Sequence, residues 1–189
     1  MMKCETGILQ NRTEIEVFTK LLVDNNVKSY LEVGSKFGGS LWYVANKLMG
    51  GSRIVSVDLP HGDASFKKSQ GPLEECVAEL KKRGYDAHLL LGDSTDKNII
   101  DKVRALGPFD AVFIDANHTL PYVKKDWENY SPLTKMIAFH DIGFYRKKGL
   151  PPHKKPIEVP IFWREIKARH RHQEIRMDSQ DNGIGVLWL

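Results

Sequence analysis

The feature that most constrains this chain is a glycine-rich turn between a strand-like run and a helix-like run. Residues 30–34 favour a strand, and the turn after them carries Gly34 and Gly38. Glycine lets the backbone approach a ligand closely, and the following helix offers unpaired N–H groups at its N-terminus. A second strand-like run, residues 54–58, ends on Asp58, and an acid at this position can accept both hydroxyls of a ribose. These features predict a cradle for a nucleotide-type cofactor.

The spacing of the glycines separates two kinds of cofactor. The pyrophosphate fingerprint G-x-G-x-x-G has a second glycine two positions after the first, whereas this chain has Lys36 there. A dinucleotide such as NAD is therefore disfavoured. A nicotinamide dehydrogenase is a weak alternative, because no proton-donor pair is recognisable in the chain either.

Apolar runs bounded by turn residues alternate with segments of helical periodicity. This alternation predicts an α/β fold, a doubly wound parallel sheet covered on both faces, in one domain over residues 1–189. A helix over residues 12–24 should cover the first strand near the site entrance. Residues 142–160 are rich in glycine and proline and predict a mobile loop, followed by a helix and an antiparallel hairpin. Strands are expected near 29–34, 53–58, 87–91, 110–115 and 135–140, and helices near 39–48, 71–83, 96–106 and 120–130.

Polar residues follow five successive predicted strands. In a doubly wound sheet, ligands bind outside the carboxyl ends of the strands, at the switch in strand order. One Asp at a strand end is readily explained as a helix cap, but five polar strand ends favour a site. These ends carry Glu32 and Gly34, then Asp58, then Gly92 to Ser94, then Asp115 to His118, and finally His140 with Asp141.

These motifs resemble the class I S-adenosylmethionine (SAM) dependent methyltransferases. The resemblance rests on E-V-G-x-x-x-G-G-S at residues 32–40 and runs from about Tyr30 to the C-terminus. It is strongest for the small branch of metal-associated O-methyltransferases and cephalosporin-hydroxylase-like proteins. The resemblance implies a mostly parallel, seven-stranded Rossmann-like sheet with an antiparallel last strand. Four further segments match this branch: residues 91–94, 109–118, 138–142 and 182–188.

The resemblance also implies roles for the residues of the cradle. Glu32 should lie near the amino group of SAM, and Gly34 and Gly38 should admit its methionine part. Asp58 should hold the ribose, and Asp93 with Ser94 should meet the adenine. The full expected cofactor-binding set is Glu32, Gly34, Ser35, Gly38, Ser40, Asp58, Gly92, Asp93, Ser94 and Asp115.

Asp115 and Asp141 end adjacent predicted strands, and in the metal-dependent relatives the matching positions supply oxygen ligands to a divalent cation. Mg²⁺ suits two carboxylates and water, whereas the neighbouring His140 favours Mn²⁺, Fe²⁺ or Zn²⁺. The expected metal ligands are therefore Asp115, His140 and Asp141. Alternatively, His140 or His118 is the general base, so that the expected catalytic residues are His140, Asp115 and His118. A structural role for the histidines is an equal alternative.

Methyl transfer from SAM needs an in-line approach to the methyl carbon, and most of its acceleration comes from positioning. A base or a metal matters only when the acceptor is a hydroxyl. The preferred function is therefore O-methylation of a small molecule or a sugar.

Residues 146–176 hold ten Lys or Arg and three Glu, a net charge of +7 against +4 for the whole chain. This segment could attract an anionic acceptor, although a solvated surface is the simpler interpretation.

Two other functions stay open at this point. An RNA- or DNA-modifying methyltransferase could use the basic segment 146–176, but residues 115–118 read D-A-N-H and lack the Asn/Asp-Pro-Pro-Tyr/Phe signature of base methylation. A steep loss of binding with salt would favour this alternative. The third possibility is a SAM-binding partner protein without catalysis.

The composition bears on where the protein is expected to be located and on whether it has membrane spans, disulfides or a zinc site. No apolar run approaches 18 residues and no leader pattern begins the chain, so we expect a cytoplasmic protein without a membrane span. Cys4 and Cys76 are too few for a disulfide framework or a zinc site. Apolar residues such as Phe162, Trp163 and Trp188 could form a homodimer contact or complete the core.

Overall fold

The computed structural model describes residues 7–60, 70–143, 156–177 and 182–189. Within these ranges seven strands form one sheet, which confirms the predicted α/β architecture. The strands are β1 (Ser29–Val33), β2 (Arg53–Asp58), β3 (Asp86–Leu91), β4 (Ala111–Ile114), β5 (Met136–His140), β6 (Arg171–Ile175) and β7 (Ile184–Trp188).

The order of the strands across the sheet is β3-β2-β1-β4-β5-β7-β6. Strands β1 to β5 run parallel, and β7 is antiparallel to both of its neighbours, β5 and β6. The direction of winding reverses between β1 and β4, where the loops after the two strands diverge and leave a crevice. The glycine turn and Asp115 follow these two strands, so both lie at the crevice.

Helices cover both faces of the sheet, as buried strands on a parallel sheet require. In the described ranges, α1 to α3 pack on one face and α4 to α6 on the other. The helices are α1 (Arg12–Asp24), α2 (Gly39–Ala45), α3 (Gln70–Lys82), α4 (Lys97–Leu106), α5 (Leu120–Tyr130) and α6 (Val159–Lys167).

Helix α1 forms over the residues that its periodicity predicts. Its apolar stripe buries Ile15, Phe18 and Leu22 completely against the sheet. Asn11 caps the helix, because its side chain accepts a hydrogen bond from the backbone N–H of Thr13. The Phe18 ring packs against Phe113 of β4, with 5.1 Å between the ring centroids, so the helix covers this part of the sheet.

Side chains alternate between the two faces of the sheet along each strand, and this alternation sets the face on which the polar residues at the strand ends lie. Phe113 on β4 and Ala138 on β5 belong to the core beneath α1. Two residues further along, Asp115 and His140 continue the same alternation and lie on the α1 side of the sheet. The ring of His140 meets the Phe113 ring nearly edge-on, with 6.4 Å between centroids.

Two expected boundaries are wrong. Helix α2 ends at Ala45 rather than near residue 48. Helix α6 begins at Val159, inside the loop expected over residues 142–160, because proline is well tolerated in a first helical turn and Pro160 occupies that turn. The rest of that loop, residues 144–155, lies outside the described residues, and so does Cys4.

No helix within the described ranges is both long enough and apolar enough to cross a bilayer.

Cys76 is fully buried in the core. Trp163 and Phe162 are also buried, and they pack with the core on the α4 to α6 side of the sheet. These two aromatic residues therefore complete the core.

Candidate functional site

The glycine turn brings β1 against the loop after β4. Gly34 has φ of 93°, a left-handed conformation that favours glycine. A Cβ at this position would lie 2.3 Å from the carbonyl oxygen of Asp115. Only glycine therefore lets the two loops approach this closely, and the turn and Asp115 become walls of one site.

Asp58 braces the glycine turn from the end of β2. Its Oδ2 accepts a hydrogen bond from the backbone N–H of Lys36, and its Oδ1 accepts one of 2.7 Å from the N–H of Leu59. Burial raises the pKa of Asp58, although these hydrogen bonds oppose the increase. The carboxylate thus shapes the turn, and its expected contact with a ribose stays a prediction.

Glu32 is fully buried beneath the same turn. Its carboxylate accepts hydrogen bonds from the Tyr30 hydroxyl at 2.7 Å and from the Ser40 hydroxyl at 2.8 Å. Burial raises the pKa of Glu32 to about 7. Nearby, the Ser56 hydroxyl donates to the Ser35 hydroxyl over 2.8 Å. Glu32 therefore ties β1 to α2, and its expected position near the amino group of SAM stays a prediction.

The turn after β3 lies beside Asp58. The N–H of Gly92 donates to the Asp58 carbonyl oxygen over 2.8 Å. Asp93 accepts hydrogen bonds from both the backbone N–H and the hydroxyl of Thr95, at 2.8 and 2.7 Å. The Ser94 hydroxyl donates to the buried carboxyl group of Asp126 on α5 over 2.7 Å. The expected adenine contacts of Asp93 and Ser94 stay predictions.

Four residues from the ends of β4 and β5 come together as the polar cluster, defined here as Asp115, His118, His140 and Asp141. His118 bridges the carboxylates, with Nε2 3.0 Å from Asp115 Oδ1 and Nδ1 3.1 Å from Asp141 Oδ2. His140 Nδ1 lies 3.2 Å from Asp115 Oδ1 and 3.3 Å from Asp141 Oδ1. The structure thus brings together every residue of the expected catalytic and metal sets.

The charges of the polar cluster shift its pKa values strongly. Burial alone would raise the pKa of Asp115, but the neighbouring His140 and His118 hold it well below its usual range. Burial alone would lower the pKa of His140, but Asp115, Asp141 and Glu14 raise it to about 9. The pKa of His118 is also raised, mainly by its hydrogen bond to Asp115. The histidines and carboxylates therefore stabilise each other as ion pairs.

The same cluster offers ligand atoms for a cation. One ligand atom each from Asp115, His140 and Asp141 lies within 4.8 Å of the others. Asp141 adopts φ of 62°, an uncommon conformation that Asp tolerates, and strained residues of this kind cluster at functional sites. Two carboxylates and an imidazole form a donor set that suits Mn²⁺, Fe²⁺ or Zn²⁺ better than Mg²⁺.

The sequence that contains the glycine turn and the polar cluster identifies the protein family. A family described as "Methyltransferase domain" matches residues 31–142, more than half of the chain, from β1 to just beyond β5. The chain belongs to this methyltransferase family. The resemblance to class I SAM-dependent methyltransferases is thereby confirmed.

Solved structures share the fold of this methyltransferase domain. An O-methyltransferase from Bacillus cereus, solved in complex with S-adenosylhomocysteine (SAH), has a TM-score of 0.69 and 17% identity, covering 95% of this chain and 82% of its own. The O-methyltransferase TomG from Streptomyces achromogenes, solved with SAM, has a TM-score of 0.69 and 16% identity, covering 100% and 86%. No curated protein sequence matches the chain. At these identities the structural likeness shows the fold.

The segment that leads into α1 adds residues that the sequence patterns did not predict. Gln10 Nε2 donates a hydrogen bond of 2.5 Å to Asp115 Oδ2. Glu14 is fully buried and its charge contributes to the raised pKa of His140. A Cβ at Gly39 would lie 2.4 Å from the backbone of Gly7, so this segment also crosses the start of α2. Residues 7–14 therefore contact both parts of the site.

Only one of these missed residues has a signal in the sequence. Glu14 lies four residues before Phe18, so helical periodicity puts it on the buried stripe of α1 and marks it as an unusual buried acid. Gln10 contacts a residue 105 positions away and carries no local signal. Its role depends entirely on how α1 packs against the sheet.

His118 is the most accessible member of the polar cluster. Its side chain is 27% exposed, against 7% for His140. The loop that carries His118 is held by Glu158, whose N–H donates to the His118 carbonyl oxygen over 2.8 Å and whose carboxylate accepts from the Leu120 N–H over 3.0 Å. His118 is therefore the member of the cluster that is most accessible to solvent, on a loop fixed by Glu158.

Proposed function

We propose that this protein transfers a methyl group from SAM to a hydroxyl of a small molecule or a sugar, with assistance from a divalent cation. The observation that carries the proposal is the position of the polar cluster. Asp115 lies against Gly34 of the glycine turn and also faces two imidazoles. A methyl donor held in the turn would have an acid–base group within one residue of its cradle. That arrangement suits an acceptor whose proton must be removed.

The cradle supplies what SAM requires. Backbone N–H groups at the start of α2 and the left-handed glycines around them can meet the methionine part of the cofactor. Asp58 can accept hydroxyl donors through the lone pairs that its backbone hydrogen bonds leave free, and a ribose is such a donor. The turn of Gly92, Asp93 and Ser94 follows β3, and it would contact the adenine.

A divalent cation fits the residues of the polar cluster. Asp115, His140 and Asp141 would hold it, since His140 Nδ1 lies 3.2 Å from Asp115 Oδ1 and 3.3 Å from Asp141 Oδ1. When bound, the cation would supply Lewis acidity that lowers the pKa of an acceptor hydroxyl. The two buried carboxylates would be balanced by the ion in place of protonated imidazoles.

The histidines would remove the proton of the acceptor hydroxyl. His118 is accessible from the crevice, and the negative charges of Asp115 and Asp141 strengthen it as a base by raising its pKa. Asp115 and Asp141 hold the two nitrogens of the His118 ring in one orientation. Because both ring nitrogens face carboxylates, one of these two contacts would have to give way before neutral His118 could take the proton from the acceptor hydroxyl, while His140 stays buried behind it.

The cofactor is tested by thermal shift with SAM, SAH and NAD, each with and without Mg²⁺ or Mn²⁺. A ligand at 100 times its Kd stabilises a protein by about 2.7 kcal/mol, which is easily measured. We expect stabilisation by SAM and SAH and a further increase with Mn²⁺. Stabilisation by NAD alone, or by none of the three, would reject the proposed cofactor.

Turnover is tested by measuring SAH formation with a panel of phenolic and sugar hydroxyl acceptors. We expect SAH release with at least one hydroxyl acceptor and loss of that release in His118→Ala. An exposed histidine elsewhere, His172 on β6, provides the matched control His172→Ala. Equal turnover in the wild type and both variants would reject the role of His118.

A further inference from the structure

We propose that Asp126, together with Tyr130, is a positioning residue that fixes the Ser94 turn for recognition of the adenine ring. The inference rests on the proposed use of SAM, and it concerns residues on α5 that lie outside the expected site. It assigns a purpose to a buried carboxyl group that the polar cluster does not use.

Two hydrogen bonds from α5 hold Ser94. The Ser94 hydroxyl donates to Asp126 Oδ1 over 2.7 Å, and the Tyr130 hydroxyl donates to the Ser94 carbonyl oxygen over 2.7 Å. Both hydrogen bonds are buried. Ser94 is therefore held at its side chain and at its backbone, and its peptide cannot rotate without breaking one of them.

The two supporting residues belong to one helical face. Asp126 and Tyr130 are four residues apart on α5, so both side chains point in the same direction from the helix. Val123, on the same buried face, packs in the core. An apolar side chain is the ordinary occupant of such a position, because a buried carboxyl group costs free energy. Asp126 thus requires a compensating partner.

Ser94 is that partner. Asp126 is fully buried, and its Oδ2 has no hydrogen-bond partner among the described residues. The other charged group that affects it is Asp93, which lies in the same turn as Ser94. The carboxyl group of Asp126 therefore makes its hydrogen bond to the turn after β3.

The rest of the turn is held in the same way. The N–H of Gly92 donates to the Asp58 carbonyl oxygen, and the N–H of Asp96 donates to the Asp93 carbonyl oxygen over 2.9 Å. The Asp93 carboxylate is fixed by Thr95. A turn anchored on both sides presents one fixed set of donors and acceptors. Such a set can distinguish the amino group of adenine from the oxygen that replaces it in hypoxanthine.

The test compares the Kd of SAH with that of S-inosylhomocysteine, in which hypoxanthine replaces adenine, by calorimetry. We expect the wild type to prefer SAH. Asp126→Leu should lower that preference by about tenfold, because the Ser94 hydroxyl loses its acceptor and the turn loosens. Asp126→Asn should retain most of the preference, because the amide oxygen can still accept from Ser94.

Two further variants complete the experiment. Glu128→Leu lies on the same helix at an exposed position and should leave the preference unchanged. Tyr130→Phe removes one hydroxyl, keeps the packing of the ring and should lower the preference about threefold. This variant keeps the proposal testable if Asp126→Leu fails to fold.

The outcomes separate the two proposals. A wild type that binds neither compound would reject the proposed use of SAM. A wild type that binds SAH, with the same preference in Asp126→Leu and in Tyr130→Phe, would reject the positioning role alone. Equal losses of affinity for both compounds in these variants would also reject it, because general destabilisation does not alter a preference.

Discussion

The two halves of the site differ in how their carboxylates are balanced. In the cradle, Glu32, Asp58 and Asp93 accept hydrogen bonds from hydroxyls and backbone N–H groups. In the polar cluster, both carboxylates lie within 3.3 Å of imidazole nitrogens. The pKa values follow this difference, since burial raises the pKa of Glu32 to about 7, whereas the histidines lower that of Asp115.

This difference indicates a division of labour. Hydroxyl and backbone N–H donors do not ionise near neutral pH, which suits a surface that must keep its shape for a cofactor, although the Glu32 carboxyl group that they hold has a pKa of about 7. Imidazoles can gain and lose protons near neutral pH, which suits the part of the site that activates an acceptor. Changes in the cradle should therefore alter binding, and changes in the polar cluster should alter turnover.

The largest effect should come from Asp115→Asn. Both histidines would lose the carboxylate that they share, and we expect turnover of SAM to fall at least about 100-fold. Binding of SAH should weaken much less, by under about tenfold, because the glycine turn stays intact. Steady-state turnover and calorimetry measure the two quantities. Asp101→Asn on the exposed face of α4 is the matched control, and a greater loss in SAH binding than in turnover would contradict the division.

Asp58→Ala should have the opposite signature. It removes hydrogen bonds to a charged acceptor, and we expect SAH affinity to fall by about tenfold or more. The change in kcat at saturating SAM should be small. Asp86→Ala is a suitable control, because Asp86 begins β3 at the other edge of the sheet and pairs with Arg53. Unchanged SAH affinity in Asp58→Ala would remove Asp58 from the cofactor site.

Gln10→Leu tests whether the N-terminal segment belongs to the polar cluster. It removes the donor to Asp115 Oδ2, and we expect the free energy of unfolding to fall by about 1.5 kcal/mol in urea denaturation. Leu9→Ala changes an exposed side chain of the same segment and should have little effect. An equal loss in both variants would attribute the effect to packing of the segment and not to the hydrogen bond.

The smallest effect concerns pH and the Ser94 turn. Burial raises the pKa of Asp126 to about 7, above the value for an unfolded chain, so the folded state retains a proton that the unfolded state releases. This residue therefore contributes a loss of stability as pH rises from about 4 to about 7. The Tm of Asp126→Asn should rise relative to wild type by a few degrees between pH 5 and pH 8. A constant Tm difference would mean that Asp126 is ionised throughout.

Local patterns in the sequence were sufficient for most of the fold. Periodicity predicted α1 at Arg12–Asp24 and α5 at Leu120–Tyr130 with the observed boundaries. The polar strand ends did lie along one edge, because parallel strands carry their carboxyl ends to the same side of a sheet. The boundary errors, at α2 and α6, occurred where a helix begins or ends near turn-forming residues.

The partners within the site could not be read in the same way. The resemblance assigned Ser94 to the adenine, but its hydroxyl bonds to Asp126 across 32 positions of sequence. Gln10 reaches Asp115 across 105 positions. Such contacts depend on the angle and height at which a helix packs on the sheet, and those quantities arise from many side chains at once.

The sequence by itself determined the doubly wound sheet, the glycine turn and the set of acids and histidines at the strand ends, because these follow from short-range periodicity and from the geometry of glycine. Only the tertiary structure decided which donor each carboxylate meets. It paired Glu32 with two hydroxyls, Asp115 with two imidazoles and an amide, and Asp126 with the Ser94 turn. A carboxylate in a sequence has no preferred partner, and its pKa and its role are set by the groups that folding places beside it.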